Sequence, residues 1–520
     1  MTTERLRIMT PQEMINRVRC FPLEKGELLE LAWRDEVKMP EPNILKIRIA
    51  NPGGYVWAKL ALHPTEKSNI LVSIGLPDDS FWNGKLLGNG NGGSAGETGE
   101  ASIVSGVSRG LVSVHTNMGT SVEPYDCIGN EEVMIDFGHR ATHQMTVVAK
   151  ELIQWVYGRP AKRSYFFGGS TGGQQAMMEA QRYPEDYDGI VCLSPAFDRV
   201  RLHTWFVWNW QRIHEQKNGT FTMEQAQAWR SCIQRVYRTQ CGGYGDEAYL
   251  RYPTRIPGNP MDHPDLQEDI ARLLTPGQAK ALRALYDGPV DPVTGERFMT
   301  PFLPGTETEM LSLPDLSDKE NFAHGFGFPF YWKWGKDFDF EKFDFHTDRL
   351  RAMEELSPIL DATNPDLTAF RDRGGKLLVI GGSSDAIIPY TGFLTYYKKA
   401  MACMGGLDKT KEFFRFFLMP GYGHTVGGKG VMDVGAFAAD IVPSDPEHDV
   451  VLALVRWVEE GVAPERLLGT NFSLTPEGLR FNYDLPAYVY PNVAECVGGD
   501  PKKSDNYRPR VCEEAYYKED

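Results

Sequence analysis

The chain is poor in the residues that staple small domains or hold structural metals. Its cysteines, at 20, 127, 192, 232, 241, 403, 496 and 512, are scattered over 520 residues, and none stands in a Cys-x-x-Cys pair. Neither a disulfide scaffold nor a structural zinc site is expected. Cys232/Cys241 and Cys496/Cys512 are near enough in sequence to bond, and equally fit reduced thiols. Long apolar runs are missing too: none approaches the ~20 residues of a membrane helix. Met1–Arg7 lacks the apolar stretch of a signal peptide. A cytoplasmic protein is the expectation, and sequons at Asn218 and Asn471 matter only in a secreted chain. Positive charge is the third shortage. Lys and Arg number 55 against 70 Asp and Glu, a net charge of −15. Phosphate backbones and anionic lipids both demand a basic face, so neither a nucleic-acid nor a membrane partner is expected. The charge suits a soluble acidic protein kept monodisperse by self-repulsion; a homo-oligomer is compatible with it.

What is present is a globular composition, 42% hydrophobic and 24% charged, on a chain long enough for one large domain with an insertion, or for two domains. Residues 69–74 (Asn-Ile-Leu-Val-Ser-Ile) predict a strand, followed by the glycine-dense loop 88–96 and a second strand at 110–115. Residues 143–157 carry Val147, Val148, Leu152, Ile153 and Val156 at helical spacing, closed by Pro160. A strand at 165–167, a helix from about 173 to 182 and a strand at 189–193 follow. From residue 205 to 345 strand signals thin out and aromatics crowd in, among them Trp205, Trp208, Trp210, Trp229, Trp332 and Trp334. The rhythm then returns: strand 375–380, helix 391–404, strand 413–419 and helix 449–460. Alternating strands and helices predict an α/β fold with a mostly parallel sheet. Residues 1–204 and 346–520 form its core, and 205–345 an insertion. There is no internal repeat.

Gly168-Gly169-Ser170-Thr171-Gly172 fits Gly-x-Ser-x-Gly, and so does Gly106-Val107-Ser108-Arg109-Gly110. Context separates them. A nucleophile elbow leaves a strand and enters a helix, with glycines where no larger side chain fits the turn. Ser170 has that setting; Ser108 leads into a strand instead. A bare glycine-rich turn and a phosphate cradle are the alternatives, but the Lys-Ser/Thr ending of a P-loop is missing. A serine needs a base to take its proton, and the base an acid to hold its tautomer. His424 follows a predicted strand in a glycine-rich loop, and Asp385 follows the strand 377–380. Both fall where a parallel sheet delivers catalytic groups, at its C-terminal edge. Asp385 also reads as a helix cap and His424 as a turn histidine. The oxyanion donors expected are the amide of Thr171 and those of Gly92 and Gly93, in a loop that otherwise reads as flexible surface. His139 and His143 have metal-like spacing but read as a capping or packing pair.

These residues resemble the tannase and feruloyl esterase family. The similarity runs in order through Leu76-Pro77, Trp82-Asn83-Gly84, Gly90-Asn91-Gly92-Gly93, Ser170-Thr171-Gly172-Gly173, Ala180-Gln181-Arg182-Tyr183-Pro184 and Asp188-Gly189-Ile190-Val191. It continues at Tyr286-Asp287-Gly288-Pro289, through residues 361–367 (Asp-Ala-Thr-Asn-Pro-Asp-Leu), and at Gly374-Gly375-Lys376-Leu377 and Asp385. It spans roughly residues 65–430. The resemblance implies an α/β-hydrolase core with an inserted lid, and hydrolysis of esters of gallate, hydroxycinnamates or terephthalate. Ser170, His424 and Asp385 would be the triad, and lid aromatics such as Trp205, Trp208 and Trp332 would clamp a ring. An acyltransferase, a lactone or amide hydrolase, and a non-catalytic binding protein on the same scaffold are the rival readings. Two departures stand out. The family's disulfide beneath the triad would need cysteines where Gly169 and Thr425 stand. Its Asp-rich calcium loop is not reproduced in residues 232–260, where Asp246 is the only aspartate. No cofactor and no metal are expected.

Overall fold

The computed structural model describes residues 8–41, 43, 46–50, 53–311, 318–436 and 439–516. One nine-stranded sheet organises it: β1 (Gly26–Arg34), β2 (Tyr55–Leu62), β3 (Ile70–Pro77), β4 (Lys85–Asn89), β5 (Val112–Thr116), β6 (Arg163–Gly169), β7 (Gly189–Leu193), β8 (Lys376–Gly382) and β9 (Phe414–Met419), in the order 1-2-3-5-4-6-7-8-9. From β5 to β9 every neighbouring pair is parallel. The strands β1 to β3 form an antiparallel margin that joins β5 antiparallel. Every residue of β7 and β9 is buried. That is why these strands read as unbroken apolar runs: helices cover both faces and leave no side to alternate toward water.

The helices that bear on the site are α1 (Glu100–Ser108), α2 (Ala141–Tyr157), α3 (Thr171–Arg182), α4 (Arg199–His214), α5 (Phe328–Trp334), α6 (Thr347–Leu360), α7 (Tyr390–Cys403) and α8 (Val450–Glu460). The sequence reading finds four of these eight, α2, α3, α7 and α8, within two residues, with α2 ending on left-handed Gly158 (φ 67°) ahead of Pro160. Between β7 and β8 the chain leaves the sheet for residues 194–375, a helical and irregular stretch rich in ring-on-ring contacts. Residue 205 lies inside the unbroken helix α4, so the chain departs earlier than the change in composition suggests. The return is closer: α6 opens at Thr347 and packs on α4.

Two regions gave no strong sequence signal. A helix at Pro11–Arg19, closed by a Thr10/Glu13 capping box, packs on β1 and β2. After α8 come two antiparallel hairpins, Arg466–Thr475 with Gly478–Tyr488, and Asn492–Cys496 with Tyr507–Val511. Among the described residues, no helix is long and apolar enough to cross a membrane.

Asp433 sits in the segment leading to α8, and is 1% exposed. Its Oδ1 accepts the Gly435 amide at 2.9 Å, while Oδ2 is buried without a partner. Burial, with the Asp449 carboxylate adding to it, pushes its pKa up to about 6. A raised carboxyl favours the fold while protonated, and that contribution is lost as pH rises through about 6. Asp433→Asn should therefore gain stability over the parent between pH 4 and pH 8, by on the order of 2–3 kcal/mol in denaturant titrations, with most of the change complete by about pH 6.5. A difference constant across that range would rule this out.

Candidate active site

Register places the C-terminal ends of β4, β6, β8 and β9 along one edge of the sheet, and the expected residues gather there. Ser170 bridges β6 and α3 with φ 58° and ψ −117°, a left-handed conformation unusual for a residue with a side chain. Its amide donates to Leu193 O at 3.0 Å, and its carbonyl accepts from Ala196 N at 3.0 Å and Gln174 N at 3.2 Å. The strained residue is thus fixed from both sides. The flanking glycines are steric requirements: a Cβ on Gly168 would lie 2.3 Å from Gly172 O, and one on Gly172 2.9 Å from Gly90 Cα.

The loop after β4 lies directly on this turn. Gly172 N donates to Asn91 O at 2.7 Å, and Thr171 Oγ1 donates to Gly93 O at 2.6 Å. Asn91 N donates to Gln175 Oε1 at 2.8 Å, and the Asn91 amide nitrogen donates to Thr116 O at 2.7 Å. The glycine-dense segment is therefore a tied loop and not a loose surface excursion. Thr171 opens α3, so its N–H has no acceptor within the helix. A Cβ on Gly92 or Gly93 would meet nothing within 4 Å, so those residues face open space. Amides of that kind beside a nucleophile are what an oxyanion requires.

Asp385 and His424 meet across β8 and β9. His424 Nδ1 lies 3.2 Å from Asp385 Oδ1 and 3.1 Å from Oδ2. The carboxyl is fully enclosed, while the imidazole is 22% exposed, so one end of the ring is held and the other reaches accessible space. Asp385 Oδ1 also accepts from Ile387 N at 3.0 Å and Ile388 N at 2.9 Å. These bonds close a turn ahead of the helix, whose cap position is Pro389, so Asp385 does not cap a helix. Behind these loops stands a prop from the insertion. Ser383 Oγ donates to Leu250 O and accepts from Gly421 N, each at 2.8 Å, and the Tyr249 ring backs Gly421. Its neighbour Arg251 has no exposed side-chain surface. It pairs with Glu247, donates to Tyr507 OH at 2.7 Å and lies 5.0 Å from the Tyr244 and Tyr507 ring centres.

The remaining expectations sort by burial. Ser108 closes α1, is wholly buried and donates to Ser105 O at 2.8 Å, so the second Gly-x-Ser-x-Gly is a helix end. His139 contacts Tyr183 OH at 2.8 Å and His143 contacts Asp186 Oδ2 at 2.6 Å, a packing pair. Trp205 is completely enclosed in α4 and offers no surface to a ligand here. Trp208 is 9% exposed, between Phe345 and Arg212, and Trp332 is 2% exposed, against Phe137 and Phe328. The calcium-loop region does not fit a calcium ion: Asp246 is 88% exposed beside Lys502, and Glu247 is committed to Arg251. No group of three or more His, Cys, Asp or Glu suited to a metal occurs among the described residues.

Sequence reasoning missed the polar floor of the site: Asn91, Gln174, Gln175, Arg199 and Ser383. The available signal was polarity in the wrong place, with Gln174-Gln175 in the first turns of a buried helix and Arg199 opening another that is mostly buried. The two positions discussed for a disulfide do face each other. A Cβ on Gly169 would lie 3.3 Å from Thr425 Cβ, near the spacing of a disulfide, and all eight native cysteines are unpaired. A Gly169→Cys/Thr425→Cys variant, oxidised in air and unfolded, should titrate as eight thiols and not ten. It should unfold about 2–4 kcal/mol harder than its reduced form. Ten titratable thiols would show that the loops do not meet as described.

Comparison with known proteins agrees with this geometry. The family model "Tannase and feruloyl esterase" matches residues 58–509. A probable feruloyl esterase B of Aspergillus clavatus is 30% identical over 445 residues, covering 83% of this chain and 82% of that protein. An uncharacterised esterase of Xanthomonas campestris is 28% identical over 478 residues, covering 85% of this chain and 82% of its own. Among solved structures, feruloyl esterase B from Aspergillus oryzae superposes with a TM-score of 0.81 at 24% identity, over 96% of this chain and 99% of that one. Tannin acyl hydrolase from Aspergillus niger gives 0.74 at 16% identity, over 97% and 95%. These likenesses show an α/β-hydrolase-type fold, and the match over most of its length shows that the chain belongs to the tannase and feruloyl esterase family of carboxylic ester hydrolases.

Proposed function

We propose that the protein hydrolyses esters of aromatic acids through an acyl-enzyme on Ser170. The observation that carries this is the convergence, at one sheet edge, of strained Ser170, the enclosed Asp385 against His424, and the tied Gly90–Gly93 loop. Ser170 attacks the ester carbonyl while His424 accepts its proton. Asp385 holds the imidazole and stabilises its charge. The amides of Thr171 and Gly92 or Gly93 receive the developing oxyanion. His424 returns the proton to the departing alcohol, then activates the water that frees the acid. Residues 205–345 act as the lid that sets specificity. The names of the Aspergillus relatives support an aromatic acyl group. The substrate is a small-molecule ester, no cofactor takes part, no nucleic acid or membrane partner is involved, and the protein works in the cytoplasm. That setting is supported by Gly169 and Thr425, which leave no cysteine pair there to oxidise.

The test is free-acid release from gallate, ferulate, chlorogenate, terephthalate and simple alkyl esters, followed by chromatography with parent and Ser170→Ala side by side. Release from the aryl-acid esters should fall by about 10⁴-fold or more in Ser170→Ala, with the fold intact by circular dichroism. Turnover retained in the folded variant would remove the assignment. Acceptance of alkyl esters alone, with a fluorophosphonate still labelling Ser170, would keep the chemistry and remove the aromatic acyl group.

A further inference from the structure

Arg199, the first residue of α4, is 3% exposed, and its guanidinium forms no ion pair among the described residues. Its acceptors are all neutral. Gln174 Oε1 takes Nε at 2.9 Å and Nη2 at 2.6 Å, Thr171 Oγ1 takes Nη2 at 2.9 Å, and His203 Nε2 takes Nη1 at 3.2 Å. His203 Nδ1 lies on the Phe326 carbonyl, which can only accept, so the ring proton sits on Nδ1 and Nε2 offers its lone pair. Burial, with Arg199 adding to it, holds His203 well below its usual pKa, so the imidazole is neutral. The faces of Phe137 and Phe328 complete the cage, with ring centres 5.2 Å and 5.9 Å from the guanidinium carbon.

A buried cation with no ion-pair partner is costly, and here burial lowers the Arg199 pKa to about 9 against the weaker opposing pull of the Asp361 carboxyl. An apolar residue in its place would not incur that cost. The charge has a direction: Arg199 gives a proton to the Thr171 hydroxyl, and that hydroxyl has one proton to give, which goes to Gly93 O at 2.6 Å. The relay ends on the loop expected to hold an oxyanion, and passes through the residue whose own amide is the other expected donor.

We propose that Arg199 is a positioning residue for oxyanion stabilisation. It locks the Thr171 hydroxyl onto Gly93, fixing the Gly90–Gly93 loop on the elbow, and it places a positive charge free of any ion-pair contact behind the amides where negative charge develops. This rests on the esterase reading above. It concerns a group that touches no substrate and acts only through Thr171.

The experiment uses the full chain with a 4-nitrophenyl ester, a fluorophosphonate and an arylboronic acid. Arg199→Gln should lower kcat by about ten- to hundredfold, as weakening of an oxyanion donor does, with KM held within about threefold. Boronate affinity, which reports the tetrahedral adduct, should weaken by the same factor as kcat, and binding of the product acid should not change. Thr171→Val should give a similar loss, Thr171→Ser, which keeps the hydroxyl, should rescue most of it, and Thr171→Val with Arg199→Gln should lose little more than either alone. A folded Arg199→Gln with parental kcat, or additive losses in the double variant, overturns the proposal. So does equal weakening of boronate and product acid, which marks a structural role only. If Arg199→Gln fails to fold, the Thr171 pair decides: equal rates for Val and Ser overturn it. Absence of fluorophosphonate labelling in the parent removes the esterase reading and this one with it. Normal labelling with unchanged kcat in Arg199→Gln overturns the role of Arg199 alone.

Discussion

Three backbone segments approach one another at Gly168, Gly172 and Gly90 more closely than side chains allow, and the rest of the site is arranged around that contact. The turn at Ser170 stays in a strained conformation because the surroundings over-determine it: its amide and carbonyl are both used, and the Gly90–Gly93 loop lies against its far side. The same contact that permits the strained turn therefore aligns the amides beside it. Sheet geometry supplies the remainder, since parallel strands deliver the ends of β4, β6, β8 and β9 to one edge.

Legibility in the sequence followed the strength of the local constraint. The elbow, the strand before it and the helix after it could be read because glycines and apolar runs are dictated there by sterics and burial. Asp385 and His424 could be read because each stands just past a buried strand. The polar floor could not. Asn91, Gln175 and Arg199 owe their roles to partners 84, 33 and 28 residues away, and no period in the chain records such distances. The start of α4 was not legible for a related reason. Composition changes at Trp205, but α4 is already running by Arg199 and joins the floor of the site to the aromatic region in one piece. The three tryptophans selected for their chemistry turn out to be mostly or wholly interior, which is where large apolar rings gather by default.

Two buried guanidinium groups mark opposite ways of using charge in the interior. Arg251 is neutralised by Glu247, stacked among tyrosines and tied to the C-terminal hairpin through Tyr507. It holds in place the segment that props the Asp385 and His424 loops. Arg199 makes no ion-pair contact among the described residues and rests on amide, hydroxyl and imidazole acceptors. The first is a fastening between the insertion and the rest of the fold, and the second faces the reaction edge.

The contact between Gly169 and Thr425 has a consequence for how the protein is made. The loop bearing Ser170 and the loop bearing His424 touch through a glycine and a threonine methyl, with no bond between them. Their juxtaposition is reached by folding alone. With no thiol at either position, an oxidant has nothing there to join and a reducing agent nothing to break.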